Sequence, residues 1–163
     1  MESLTMLAIP QRQLRRLEFL VGDFSGEQTL FPPDGGRVDY RVHFSGSREV
    51  CDRFTKLEFY ADIPTYGIES FTALLTYSHN KEAYESWLFS SSSEEPLHMS
   101  GNFKGDQLVL VSDPWSMPWG LQRLRGTFTP YENGDFRYES ELWEPDGYVP
   151  FRTATYHRSV VTV

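Results

Sequence analysis

The sequence predicts a closed, up-and-down antiparallel β-barrel of about ten strands with one short N-terminal helix. Three observations point there. From Val21 onward the chain is a succession of alternating apolar and polar runs with no second helical period. Aromatic residues make up 15% of the chain against 39% hydrophobic overall, and such side chains favour the pleated surface of strands. Nearly every break between runs carries turn residues. At 163 residues the chain fits one domain, 1–163, built around one core.

The elements follow in order. Pro10–Leu20 carries Leu14, Leu17 and Leu20 at helical spacing with Arg12, Arg15 and Arg16 on the other side, so it reads as one short helix. Asp23–Leu30 is the first strand. In the second, Val38, Tyr40, Val42 and Phe44 alternate with Asp39, Arg41, His43 and Ser45, the signature of a strand with one dry face. Further runs lie at Phe54–Ala61, Ile68–Ser78, Ala83–Phe89, Leu97–Phe103, Gln107–Val111, Leu121–Thr129, Phe136–Trp143 and Tyr148–Val160. In a meander, successive connections alternate between the two ends. That places most of the long ones at one end, a loop-rimmed mouth, and the tight turns with the helix at the other, a plugged bottom. A bulge at Gly46 or Gly101 would turn every later side chain of its strand to the other face.

Bulk charge and cysteine usage exclude several classes. The net charge is -8 at pH 7, which repels nucleic-acid backbones and anionic membrane surfaces. Cys51 is alone, so neither an intramolecular disulfide nor a cysteine-based metal cluster can form within one chain. Leu4–Pro10 is too short for a secretory signal and no window reaches the length of a membrane span, so a cytoplasmic protein of bacterial type is expected. His43, His79, His98 and His157 lack close ligand spacing, and no Gly-x-Ser-x-Gly elbow occurs; no metal and no nucleophilic triad are expected.

Gly22-Asp23-Phe24-Ser25-Gly26 after the helix, together with Tyr156-His157-Arg158 in the last strand, resembles the calycin pattern of lipocalins and fatty-acid-binding proteins. Those barrels carry Gly-x-Trp at the first strand, covered at the closed end by an arginine from the last. The resemblance implies that Gly22, Phe24 and Arg158 form this structural signature, with Phe24 in place of the usual Trp. The wider layout, with Tyr84-Glu85-Ser86-Trp87, then Gly101, an arginine-bearing strand and the terminal Tyr-x-Arg, is similar to the bacterial lipocalin-like domain of unknown function 1579, which implies no mechanism. Related barrels bind heme through a histidine near the C-terminus, and His157 would be the counterpart. If Arg158 covers Phe24, alternation turns His157 outward, which argues against heme and leaves no cofactor expected.

The interior is where chemistry would sit. Glu85, Trp87 and Phe89 share one strand face; Leu121, Arg123 and Arg125 share another; Arg152, Tyr156 and Arg158 a third. If these faces point inward, Glu85 and the arginines line a cavity able to hold a carboxylate; otherwise they pair with one another or face solvent. Pro114–Gly120 places Trp115, Met117 and Trp119 in a connection. They would form a lid, an interface with another subunit, or a flap folded down over the mouth, with Tyr66 on the same rim. Three functions stay open. The first is a binding protein for a small apolar or amphipathic molecule held by Trp87, Phe89, Tyr138 and Arg123, oriented by Arg125 and gated by Trp115 and Trp119. The second is an enzyme with Glu85 as general base and Arg125 or Tyr156 stabilising negative charge. The third is a filled barrel that forms a homodimer or docks a partner.

Overall fold

In the computed structural model, which describes residues 9–117 and 120–160, a helix α1 (Gln11–Arg15) and a 3-10 turn (Glu18–Leu20) precede twelve strands. These are β1 (Gly22–Leu30), β2 (Val38–Glu49), β3 (Phe54–Ile63), β4 (Gly67–Ser78), β5 (Ala83–Ser90), β6 (Leu97–Lys104), β7 (Gln107–Ser112), β8 (Trp115–Met117), β9 (Gly120–Gln122), β10 (Leu124–Pro130), β11 (Phe136–Glu144) and β12 (Gly147–Arg158). Ten of them form a closed antiparallel barrel in the order β1-β12-β11-β10-β7-β6-β5-β4-β3-β2. Because β1 pairs with both β2 and β12, the barrel itself leaves no strand edge open. β8 and β9 form a separate hairpin in the β7–β10 connection.

Three details depart from the sequence reading. The expected single helix is a five-residue α-helix followed by the 3-10 turn. So short a helix is held by the burial of Leu14, Leu17 and Leu20 and not by its own propensity. The run Leu121–Thr129 divides into β9 and β10, with Arg123 in the break. Pairing is unbroken through Gly46 and Gly101. The register shift lies instead between β11 and β12, where Ser140 faces Arg152 and Glu141 faces Pro150, leaving Phe151 as the extra residue. Proline cannot donate to the ladder, so a bulge is where a strand inside a closed sheet tolerates it. As a result both Phe151 and Arg152 border the interior.

The helix end is filled. Phe24, Phe44 and Phe136 meet edge to face with centroids 4.9 to 5.8 Å apart, and Tyr156 stacks on Phe136 at 4.9 Å. The Arg158 guanidinium lies 4.6 Å from the Phe24 ring centre and donates from Nη1 to the Val21 carbonyl at 2.6 Å. Gly22 makes room for it: a Cβ there would stand 2.3 Å from Arg158 Nη1. His157, next in the strand, lies on the outer face and pairs with Asp135 at 2.8 Å. No helix among the described residues is long and apolar enough to cross a membrane.

Candidate ligand pocket at the barrel mouth

Barrel strands alternate inward and outward, so one buried neighbour fixes the phase of the rest. On β5 the inward residues are Tyr84, Ser86 and Leu88. Tyr84 is tied there by its hydroxyl, which donates to the Gln13 carbonyl at 2.7 Å. Glu85, Trp87 and Phe89 therefore stand on the outer wall, and Phe89 is 52% exposed. This corrects the expectation that they line the cavity. Glu85 is nonetheless covered, by Lys81 Nζ at 2.5 Å and His98 Nε2 at 3.3 Å. Burial works to raise its pKa, but the Lys81 and His98 contacts outweigh it and hold the carboxyl below its usual range. A general base poised near neutrality needs the opposite shift.

The β10 expectation is corrected in the same way. Leu124, Gly126 and Phe128 face in, while Arg125 lies outside, paired with both carboxylate oxygens of Glu141 and stacked 3.9 Å over the Tyr148 ring. Arg123 sits in the break before β10, its carbonyl accepting the Trp143 N–H at 2.9 Å. Glu85 and Arg125 are thus separated by the barrel wall from Tyr156, which is buried inside. The three do not meet.

The residues that do meet inside begin at the mouth. A pocket of about 380 Å³ is walled by Leu30, Ile63, Ile68, Met117 and Phe151, with Tyr66 on the rim and Glu69 and Arg152 on the floor. Below it lie two small chambers, about 50 and 40 Å³. The upper shares Glu69, Met117, Phe151 and Arg152 with the mouth pocket, and the lower shares Phe71, Leu88, Tyr138 and Tyr156 with the upper. Trp115 is folded down as a wall of the upper chamber, its Nε1 donating to the Glu95 carbonyl at 3.2 Å. Of the readings open for the β8 segment, the folded-down flap is the arrangement found for Trp115 and Met117. Trp119 lies outside the described residues.

The floor is a polar cluster in an otherwise apolar interior. Arg152 donates from Nη1 to Glu69 Oε1 at 2.5 Å and from Nη2 to Oε2 at 3.0 Å. Burial works against the Arg152 cation, but Glu69 outweighs it and holds the guanidinium charged. Gln28 links two of the nearby tyrosines, accepting from the Tyr156 hydroxyl at 3.3 Å and donating to the Tyr40 oxygen at 2.6 Å. Burial raises the pKa of Tyr40, Tyr138 and above all Tyr156, which keeps all three phenols protonated. Among the described residues, two buried side-chain atoms have no hydrogen-bond partner: Arg152 Nε and Ser140 Oγ, the latter beside Tyr138 without closing a bond of normal geometry. Groups left unpaired in this way cost about 1–3 kcal/mol each.

Sequence reasoning placed Tyr138, Tyr156, Trp115 and Tyr66 around this space and missed Glu69, Ser140 and Gln28. The available signal for Glu69 was its phase: it lies two residues from Phe71, in step with Ala73 and Leu75, so an acid shares the dry face of β4. Among the described residues no group of three or more His, Cys, Asp or Glu side chains could hold a metal ion.

This chain is similar to the crystal structure of Rv2717c from M. tuberculosis, with a TM-score of 0.68 and 16% sequence identity over 91% of this chain and 98% of that one. At that identity the likeness shows the fold alone. No family model matches the chain, and no curated protein matches it.

Proposed function

We propose that the barrel is a binding protein that takes one small apolar or amphipathic molecule at its mouth, tail against Ile63, Met117 and Phe151 and polar end toward Arg152. One observation carries the reading: an apolar-walled pocket of about 380 Å³ is floored by Arg152, whose buried Nε has no partner. Ligand sites run from roughly 300 Å³ upward and combine apolar walls with a few placed polar groups. The mouth pocket has that make-up; the chambers beneath it are too small to hold more than a polar end.

The test is a titration with N-phenyl-1-naphthylamine, a neutral dye that brightens in apolar pockets. Saturable one-to-one binding is expected. Met117→Trp, which adds bulk between pocket and chamber, should weaken it about tenfold or more. Leu121→Trp, on a side chain 72% exposed outside the barrel, should leave it unchanged. Absence of saturable binding, or indifference to Met117→Trp in a folded variant, would overturn the reading.

A further inference from the structure

The binding reading leaves the chemistry of the ligand's polar end open, and the floor restricts it. Glu69 and Arg152 satisfy each other's charge with two parallel hydrogen bonds, at 2.5 and 3.0 Å. What remains around them is an excess of donors. Arg152 Nε–H has no acceptor, Ser140 Oγ lies beside Tyr138, and Tyr138 borders both inner chambers. No second cation lines the upper chamber. We infer that the polar end is a neutral oxygen acceptor, the carbonyl of a ketone, aldehyde or ester, received by Arg152 Nε on the barrel floor. This inference rests on the binding reading and narrows it.

The electrostatics decide between a carbonyl and a carboxylate. An incoming carboxylate would have to shed its water and then meet the Glu69 carboxylate with no countercharge to spare, because the one guanidinium present is already neutralised. A buried charge without a partner is strongly disfavoured. A neutral carbonyl loses far less on dehydration, and recovers it from a charged donor that is otherwise unpaired. Tyr138 reinforces the choice, since a phenol kept protonated by burial brings no negative charge to the chamber. The upper chamber, at about 50 Å³, holds a carbonyl group but not a bulky head.

The experiment displaces the dye with two ligands of equal chain length, methyl heptyl ketone and nonanoate, near neutral pH. The ketone should bind at least about tenfold tighter. The carbonyl stretch of the bound, isotope-labelled ketone should lie below its frequency in hexane. That shift should vanish in the double variant Glu69→Met/Arg152→Met, which removes both charges together and so keeps the fold. Nonanoate binding as tightly as the ketone, or a carbonyl band that is hexane-like or unmoved by the double variant, would overturn the inference while the dye still bound. Failure of the dye itself would overturn the pocket reading, and this inference with it.

Discussion

At the closed end Phe24, Phe44 and Phe136 pack ring on ring within 5.8 Å and Arg158 caps them through bonded carbonyls, whereas at the mouth the same strands leave about 380 Å³ open above an ion pair. The contrast runs along individual strands. β12 places Tyr156 in the aromatic cluster and, two inward positions on, Arg152 at the cavity floor. β4 runs from fully buried Leu75 to Glu69 in the same way. Closing a sheet satisfies its backbone, but it does not fill the interior; side-chain volume does, and here it is spent on one half. The filled half holds the closest aromatic packing, and the half with space and unmet donors is the one proposed to take a ligand.

Phe136→Ala should have the largest effect. Phe136 is wholly buried and its ring meets Phe24, Phe44 and Tyr156, so truncation leaves a cavity worth about 4 kcal/mol. Urea unfolding measures it, and dye affinity at the mouth should hardly change. A loss below about 1 kcal/mol would break the contrast by showing the closed half to be loosely packed. Next comes Glu69→Ala, which strands the Arg152 charge in the interior and should cost about 3 kcal/mol. The double Glu69→Met/Arg152→Met variant should recover most of that loss, because an apolar pair of similar volume avoids the desolvation of both ions. If the double variant were as unstable as the single, the ion pair would belong to the stabilising half, and its place in the pocket would be incidental.

The closed half was legible in sequence because its signals are local and redundant. Val42 and Phe44 alternate cleanly with polar neighbours, and Gly22, Phe24 and Arg158 carry a recognisable spacing. The phase of the later strands was harder to read, for identifiable reasons. On β5 both faces hold aromatic or aliphatic residues, Tyr84 and Leu88 inside against Trp87 and Phe89 outside, so period-two patterning cannot set the phase. What sets it is a contact 71 positions away in sequence, the Tyr84 hydroxyl on the Gln13 carbonyl. On β10 the inward face contains Gly126, which has no side chain to announce it, and Tyr138 occupies the space, 3.3 Å from where a Cβ would stand. Arg125, the conspicuous residue, is the outward one. On β12 the Pro150 bulge turns both Phe151 and Arg152 to the interior, which no strict alternation predicts.

The smallest expected effect tests whether acid loosens the closed end before the mouth. Asp135 accepts from the Arg158 backbone N–H at 3.0 Å and from His157 Nδ1 at 2.8 Å, so it anchors the strand that carries the Arg158 cap. These two bonds, that from Arg158 foremost, hold its pKa below the ordinary 3.8. A carboxyl whose pKa is lower in the folded state than in the unfolded chain stabilises fully above the unfolded value. That contribution fades as pH falls through the folded one. Asp135→Asn should therefore lower the urea midpoint near neutral pH, and the gap to the native protein should close below about pH 4. Solvent screening at this surface site keeps the gap under about 1 kcal/mol. Dye binding by Asp135→Asn should match the native protein at neutral pH, since the cap and the mouth lie at opposite ends of β12. A stability gap independent of pH would mean that the asparagine amide disturbs the turn itself, and that the carboxylate charge is not what latches Arg158 in place.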